Sequence, residues 1–229
     1  MIMKIYNLTF AFESNNNDFF KDISVSFDEG KVHFIEGDNG VGKSTFFTIL
    51  RGMTSKRAKL EGSISLQGVL YKAENNQLPT AFLDCVHMVR QQYDTMLAHK
   101  FSVLENLQLA NVQSYPSLKA LPEAIMLDVL HKMSIDIHVP VNLLSGGQRQ
   151  LLAILMVLQK PTNVLLLDEP TATLDRQNAQ LIMNILHQLA EQLHITMLII
   201  CHDKQLVAQY GKRVMRVAKL ADGSRQFFV

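Results

Sequence analysis

The sequence predicts an α/β fold with an antiparallel β start and a helical middle. Three observations carry that reading. Gly37-Asp38-Asn39-Gly40-Val41-Gly42-Lys43-Ser44 lies between a strand-like and a helix-like stretch. Asn163-Val164-Leu165-Leu166-Leu167 is apolar in the way a central parallel strand is, and it ends in Asp168-Glu169. Between them, over roughly 92–160, apolar residues recur at helical spacing.

Taken in order, Met3–Phe12 alternates, Ser14–Asp18 is a polar turn, and Ile23–Phe27 alternates again before the turn Asp28-Glu29-Gly30. These read as antiparallel strands laid against a core. Phe12 either stacks on a planar ligand or fills the sheet edge. Lys31–Glu36 alternates as a strand, and Ser44–Arg51 continues as a helix that stops at Gly52. The loop between them has the spacing G-x-x-x-x-G-K-[ST] of a phosphate-binding loop. Glycines let the main chain close round a phosphate, and the backbone N–H groups and the positive helix end face the anion together. Lys43 can reach outer phosphates, and the Ser44 hydroxyl can ligate Mg2+.

Gly62–Gly68 reads as a short strand, and Phe82–Val89 as another that ends at Arg90-Gln91-Gln92. Ser102-Val103-Leu104-Glu105 has the spacing of a capping box, with Leu107 and Leu109 following. Leu121–Met133 is an amphipathic helix with Ile125, Met126, Val129, Leu130 and Met133 on one face. Leu144-Ser145-Gly146-Gly147-Gln148 leads into a helix over Arg149–Gln159. Its glycines form either a second anion seat, or only a turn that Ser145 caps.

Asp168 and Glu169 end a central strand, where α/β sheets bind ligands. Asp168 suits Mg2+, and Glu169 can polarise an attacking water; otherwise both are solvated strand ends. Asp175 caps a helix running to about Leu193. Ile195–Cys201 is a buried strand ending in His202-Asp203, from which His202 can reach a terminal phosphate. A short helix ends at Gly211, and Val214–Val217 and Gln226–Val229 close the sheet. Together these describe one domain: a P-loop NTPase (RecA-like) core with an N-terminal antiparallel β subdomain (1–91 and 161–229) and an inserted helical subdomain (92–160).

Composition narrows the function classes. The 229 residues carry a net charge of +1, which gives no general electrostatic reason to expect nucleic acid as the partner. Two distant cysteines, Cys85 and Cys201, read as buried free thiols in a reducing compartment. No secretory signal is visible at Met1–Tyr6, and no apolar run approaches the ~20 residues that span a bilayer. Any membrane span would come from a partner. No run of three or four heptads points to a long coiled-coil insertion.

With these residues in place, essentially the whole chain resembles the nucleotide-binding subunit of an ATP-binding cassette (ABC) transporter. The motifs fall in that family's order: Gly37–Thr45, Gln91, Leu144–Gln148, Val164–Glu169, Leu174-Asp175 and His202. The resemblance implies that Gly37, Asp38, Asn39, Gly40, Val41, Gly42, Lys43, Ser44 and Thr45 hold ATP as the Walker A loop. Ser44, Gln91 and Asp168 would serve Mg2+. Glu169 would be the catalytic glutamate, with His202, Gln91 and Lys43 beside it in catalysis. Phe12 would stack on adenine. Ser145, Gly146, Gly147, Gln148 and Asp175 would touch nucleotide across a head-to-tail dimer, either a homodimer or a pair with a similar subunit. Departures are small: Cys201 stands where Ser or Thr is usual, and an apolar run follows Gln148-Arg149-Gln150.

The same resemblance implies separate integral membrane permease subunits, an extracytoplasmic solute-binding protein, and a place on the cytoplasmic face of the inner membrane. It is importer-like, with a cue in Tyr210-Gly211-Lys212-Arg213 toward tryptophan/tyrosine-type uptake systems. Non-uptake envelope work, such as lipoprotein release or division-linked signalling, is the alternative.

Overall fold

The computed structural model describes residues 2–13, 17–112 and 121–228. Ser14, Asn15 and Asn16 of the expected polar turn, and Val229 of the expected last strand, lie outside these. The strands are β1 (Ile2–Ala11), β2 (Phe20–Asp28), β3 (Val32–Glu36), β4 (Lys59–Leu66), β5 (Val69–Lys72), β6 (Val86–Val89), β7 (Val164–Asp168), β8 (Thr196–Ile200), β9 (Val214–Lys219) and β10 (Arg225–Phe228). The helices are α1 (Lys43–Leu50), α2 (Thr80–Leu83), α3 (Val103–Val112), α4 (Glu123–Lys132), α5 (Gly146–Leu158), α6 (Arg176–Leu193) and α7 (Lys204–Tyr210).

The strands form one sheet in the order β5-β4-β1-β2-β10-β9-β3-β8-β7-β6. The antiparallel start is where the sequence puts it, but it is not merely laid against the core. β10 pairs parallel with β2 and antiparallel with β9, so the chain's last strand joins the two portions. β3, β8, β7 and β6 run parallel, and their carboxyl ends share one edge: Ile35 pairs with Ile200, Ile200 with Asp168, and Leu167 with Val89. The loops that follow these four strands carry the motifs, and the register brings them together.

Several elements differ from their sequence reading, each for a physical reason. Lys31–Glu36 alternates in sequence, yet β3 is paired along both edges by β8 and β9 and its residues are buried on both faces. His33 is therefore buried, with Nε2 against the Asp28 carbonyl at 3.1 Å. Phe82 is helical rather than extended, because α2 starts at Thr80 directly after Pro79 and fills the approach to β6. β5 was not anticipated. Gln67 and Gly68, with φ of 52° and 83°, turn the chain back into a hairpin of the kind that two left-handed residues favour. Cys201 is buried, but Cys85 is only half-buried.

Between β6 and β7 the described elements are α3, α4, α5 and 3-10 turns at Tyr93–Met96 and Val141–Leu143. The capping box is real. The Ser102 N–H donates to Glu105 Oε2 at 2.7 Å, and the Glu105 N–H to Ser102 Oγ at 3.2 Å. Val129, Leu130 and Met133 are buried on the expected face of α4, whereas Leu109 of α3 points outward and is exposed. α5 buries Leu151, Leu152, Ala153, Ile154 and Leu155 in one cluster with Leu165 and Leu167 of β7 and Leu186 of α6. Each such leucine or isoleucine contributes about 1.5–3 kcal/mol by leaving water. The loop at the start of α5 is thereby anchored to the sheet that carries Asp168.

Candidate active site

The loop from β3 into α1 needs its glycines. Gly37 has φ of 151°, and a Cβ there would stand 2.5 Å from the Val217 carbonyl oxygen. Gly42 has φ of 113° and presses against the ring of Phe19. Lys43 follows at the first turn of α1 and is 6 % exposed. Its ammonium donates to the carbonyls of Gly37 at 2.7 Å and Asp38 at 3.0 Å, curling back over the loop. Burial pushes the ammonium's pKa down, while the Glu169, Asp168 and Asp38 carboxylates favour its charged form.

Asp168, at the end of β7, faces the same point. Burial first, then the adjacent Glu169 charge, raises its pKa; a hydrogen bond from Ser44 and the positive charge of Lys43 pull the other way. A half-buried carboxyl held up in this way gains from a cation, and Asp168 with the Ser44 hydroxyl forms the hard oxygen donor set that suits Mg2+. These residues fit the metal.

Glu169 adopts φ of 52°, a left-handed conformation that costs a residue with a side chain and gathers at functional sites. Its N–H continues the ladder to the Ile200 carbonyl at 3.0 Å, so the chain turns only after pairing ends. That turn places Glu169 Oε1 3.3 Å from His202 Nε2, which follows β8. Gln91 lies in an exposed turn two residues beyond Val89, the partner of Leu167.

Phe12, just past the end of β1, packs edge-on against Phe10 and Phe19. It is 39 % exposed and, with Glu13, Ser44, Thr45, Thr48 and Met53, lines a cleft of about 780 Å³ beside the loop. The second loop stands apart from this cleft. Ser145 caps α5 in a full capping box: the Gln148 N–H donates to Ser145 Oγ at 3.3 Å, and the Ser145 N–H to Gln148 Oε1 at 2.9 Å. None of Ser145, Gly146, Gly147 or Gln148 lines the cleft. They sit instead beside Leu174, next to Asp175, which caps α6 by accepting from the Asn178 N–H at 3.0 Å.

Two supports were not read from the sequence. The Tyr93 hydroxyl donates to the Gly146 carbonyl at 3.0 Å, and Arg149 pairs with Asp94 at 3.3 Å. Both link the turn after Gln91 to the Ser145 loop. The local sequence carries no periodic or motif signal for either.

The family model for ABC transporters matches residues 20–172. The chain belongs to the ABC transporter family. It is 29% identical over 212 residues to the lipoprotein-releasing system ATP-binding protein LolD of Buchnera aphidicola, covering 90% of each chain. It is 30% identical over 231 residues to a tyrosine transport ATP-binding protein of Clostridioides difficile, covering 95% of this chain and 89% of that one. Among solved structures it resembles the ATP-binding cassette MJ0796 in a dimeric post-hydrolysis state with ADP and Pi, at TM-score 0.69 and 26% identity over 97% of this chain and 95% of that one. The protein is thus an ABC ATPase subunit of a transporter, from a family that binds and hydrolyses ATP, dimerises and pairs with membrane permeases. Among the described residues, no helix of this ABC subunit is long and apolar enough to cross a membrane.

Proposed function

We propose that two copies pack head to tail round two Mg-ATP, each nucleotide held by Lys43 of one copy and covered by Ser145, Gly146 and Gly147 of the other. The observation that carries this reading is a freedom at those glycines. Neither has a left-handed φ, and an added Cβ would meet nothing closer than 3.9 Å at Gly146 or 3.6 Å at Gly147. The chain's own fold does not need glycine there, and the first turn of a helix would favour alanine. Close approach of another group's phosphate oxygens would need it.

Within each composite site, water attacks the γ-phosphorus, the bond to the bridging oxygen of ADP breaks, and the water proton passes to Glu169. His202 orients Glu169 and the terminal phosphate. Lys43 turns from the loop carbonyls to the phosphates, and Gln91 reports the site's occupancy to the membrane permease. Mg2+, held by Ser44 and Asp168, would neutralise phosphate charge. Residues 92–160 act as the signature subdomain that carries Ser145 to the partner's nucleotide, and Phe12 stacks on adenine.

The cycle drives a separate permease from the cytoplasmic face of the membrane, in uptake of a small solute such as an amino acid. Similarity to a tyrosine transport ATP-binding protein supports this, and a solute-binding protein would then deliver the cargo. Similarity to LolD supports lipoprotein release as the second reading. Purification from detergent-solubilised membranes tests both. A polytopic partner encoded beside a solute-binding protein is the outcome expected for uptake, and one with a large periplasmic domain is that expected for release. Recovery only from the soluble fraction would count against both.

A further inference from the structure

Phe19 lies just before β2, outside every motif above. Its ring centroid is 4.9 Å from that of Phe12 with planes at 80°, and Phe12 meets Phe10 the same way at 5.0 Å and 81°. Phe12 is thus gripped on two sides while remaining open to the cleft. Phe19 also touches the phosphate loop, since a Cβ on Gly42 would stand 2.7 Å from its Cε1. Above Phe19 lies Arg225, whose guanidinium carbon is 3.8 Å from the ring centroid. Arg225 is itself fixed by its N–H to the Phe19 carbonyl at 2.9 Å and by its guanidinium to the Gly223 carbonyl at 2.7 Å.

We propose that Phe19 is the positioning residue that holds Phe12 in register with the phosphate loop for base stacking, with Arg225 of the last strand as its clamp. An exposed phenylalanine must lose side-chain freedom when a base stacks on it. Edge-to-face contacts with Phe10 and Phe19 remove that freedom before the ligand arrives. Because one ring touches both Phe12 and Gly42, the distance between the base platform and the phosphate seat is set by Phe19. The strand that joins the two parts of the sheet secures that distance. This inference rests on the proposed role of Phe12.

Steady-state hydrolysis, with competition by inorganic tripolyphosphate, tests it, because tripolyphosphate fills the phosphate seat without a base. Phe19→Leu should raise the KM for ATP about three- to tenfold with little change in kcat. It should leave competition by tripolyphosphate unchanged, and Phe19→Tyr should restore the wild-type KM. Arg225→Met, which keeps the backbone pairing of β10, should shift KM the same way by a smaller factor, and it carries the test if Phe19→Leu does not fold. A raised KM in Phe12→Leu with unchanged KM in Phe19→Leu and Arg225→Met would overturn the inference and leave the role of Phe12 standing. So would equal weakening of ATP and tripolyphosphate in Phe19→Leu. Unchanged KM in Phe12→Leu would remove the underlying reading as well.

Discussion

His202 Nε2 lies 3.3 Å from Glu169 Oε1, across two adjacent parallel strands that pair Asp168 with Ile200. The contact joins the residue after one strand end to the second residue after the next. It depends on Glu169 leaving β7 in a left-handed conformation.

Glu169→Gln keeps that shape and removes the proton acceptor. Phosphate release should fall by about 10²- to 10⁴-fold while nucleotide still binds, since general-base catalysis supplies that range. A phosphate-release assay beside a nucleotide titration checks it. Turnover near wild type would refute the assignment of Glu169.

Lys43→Ala removes the buried ammonium that now rests on the Gly37 and Asp38 carbonyls. Charge-assisted hydrogen bonds contribute about 1.5–3 kcal/mol each, so ATP affinity should drop by at least about tenfold. Calorimetric titration of wild type and variant measures it. Equal affinities would mean that the ammonium never leaves the loop.

Gly147→Ala should separate the fold from the assembly. Its Cβ meets only ordinary contacts within the chain, so thermal stability should hold or rise by up to about 1 kcal/mol. ATP hydrolysis should nonetheless be lost. Differential scanning calorimetry and an ATPase assay report the two effects, and a folded variant with full activity would show that nothing approaches this turn closely.

His87 gives a pH dependence away from the site. Burial, aided by the Arg51 and Lys160 cations, pushes it down to about 4 from an ordinary 6.5. Between those values the unfolded chain takes up a proton that the folded chain refuses. The stability gained by keeping it neutral is therefore present above 6.5 and lost as pH falls through the window. The slope is capped at about 1.4 kcal/mol per pH unit, and solvent at this half-buried position keeps it lower. His87→Gln should flatten urea-denaturation stability between pH 6.5 and pH 4. An unchanged slope would show that His87 does not titrate this way.

Much of this was legible in the sequence where a motif and its flanking pattern agree. Gly37–Ser44, the Asp168-Glu169 strand end, the Ser102 capping box and the Asp175 cap are all visible locally, because each depends on neighbours within a few residues. What escaped depends on sheet neighbours. His33 sits in an alternating stretch, yet β3 is a central strand, paired along both edges by β8 and β9 and buried on both faces. Phe19, Tyr93 and Arg225 act through partners distant in the chain, and no local pattern reports such contacts.

The most direct test of a site shared between two copies mixes two inactive chains. Lys43→Ala lacks a phosphate seat but keeps its Ser145 loop, and Gly147→Ala has the opposite defect. In a mixed dimer one site is whole, so combining the two in equal amounts should restore roughly a quarter of wild-type hydrolysis. A mixture that forms dimers yet hydrolyses no faster than either variant alone would contradict the shared site.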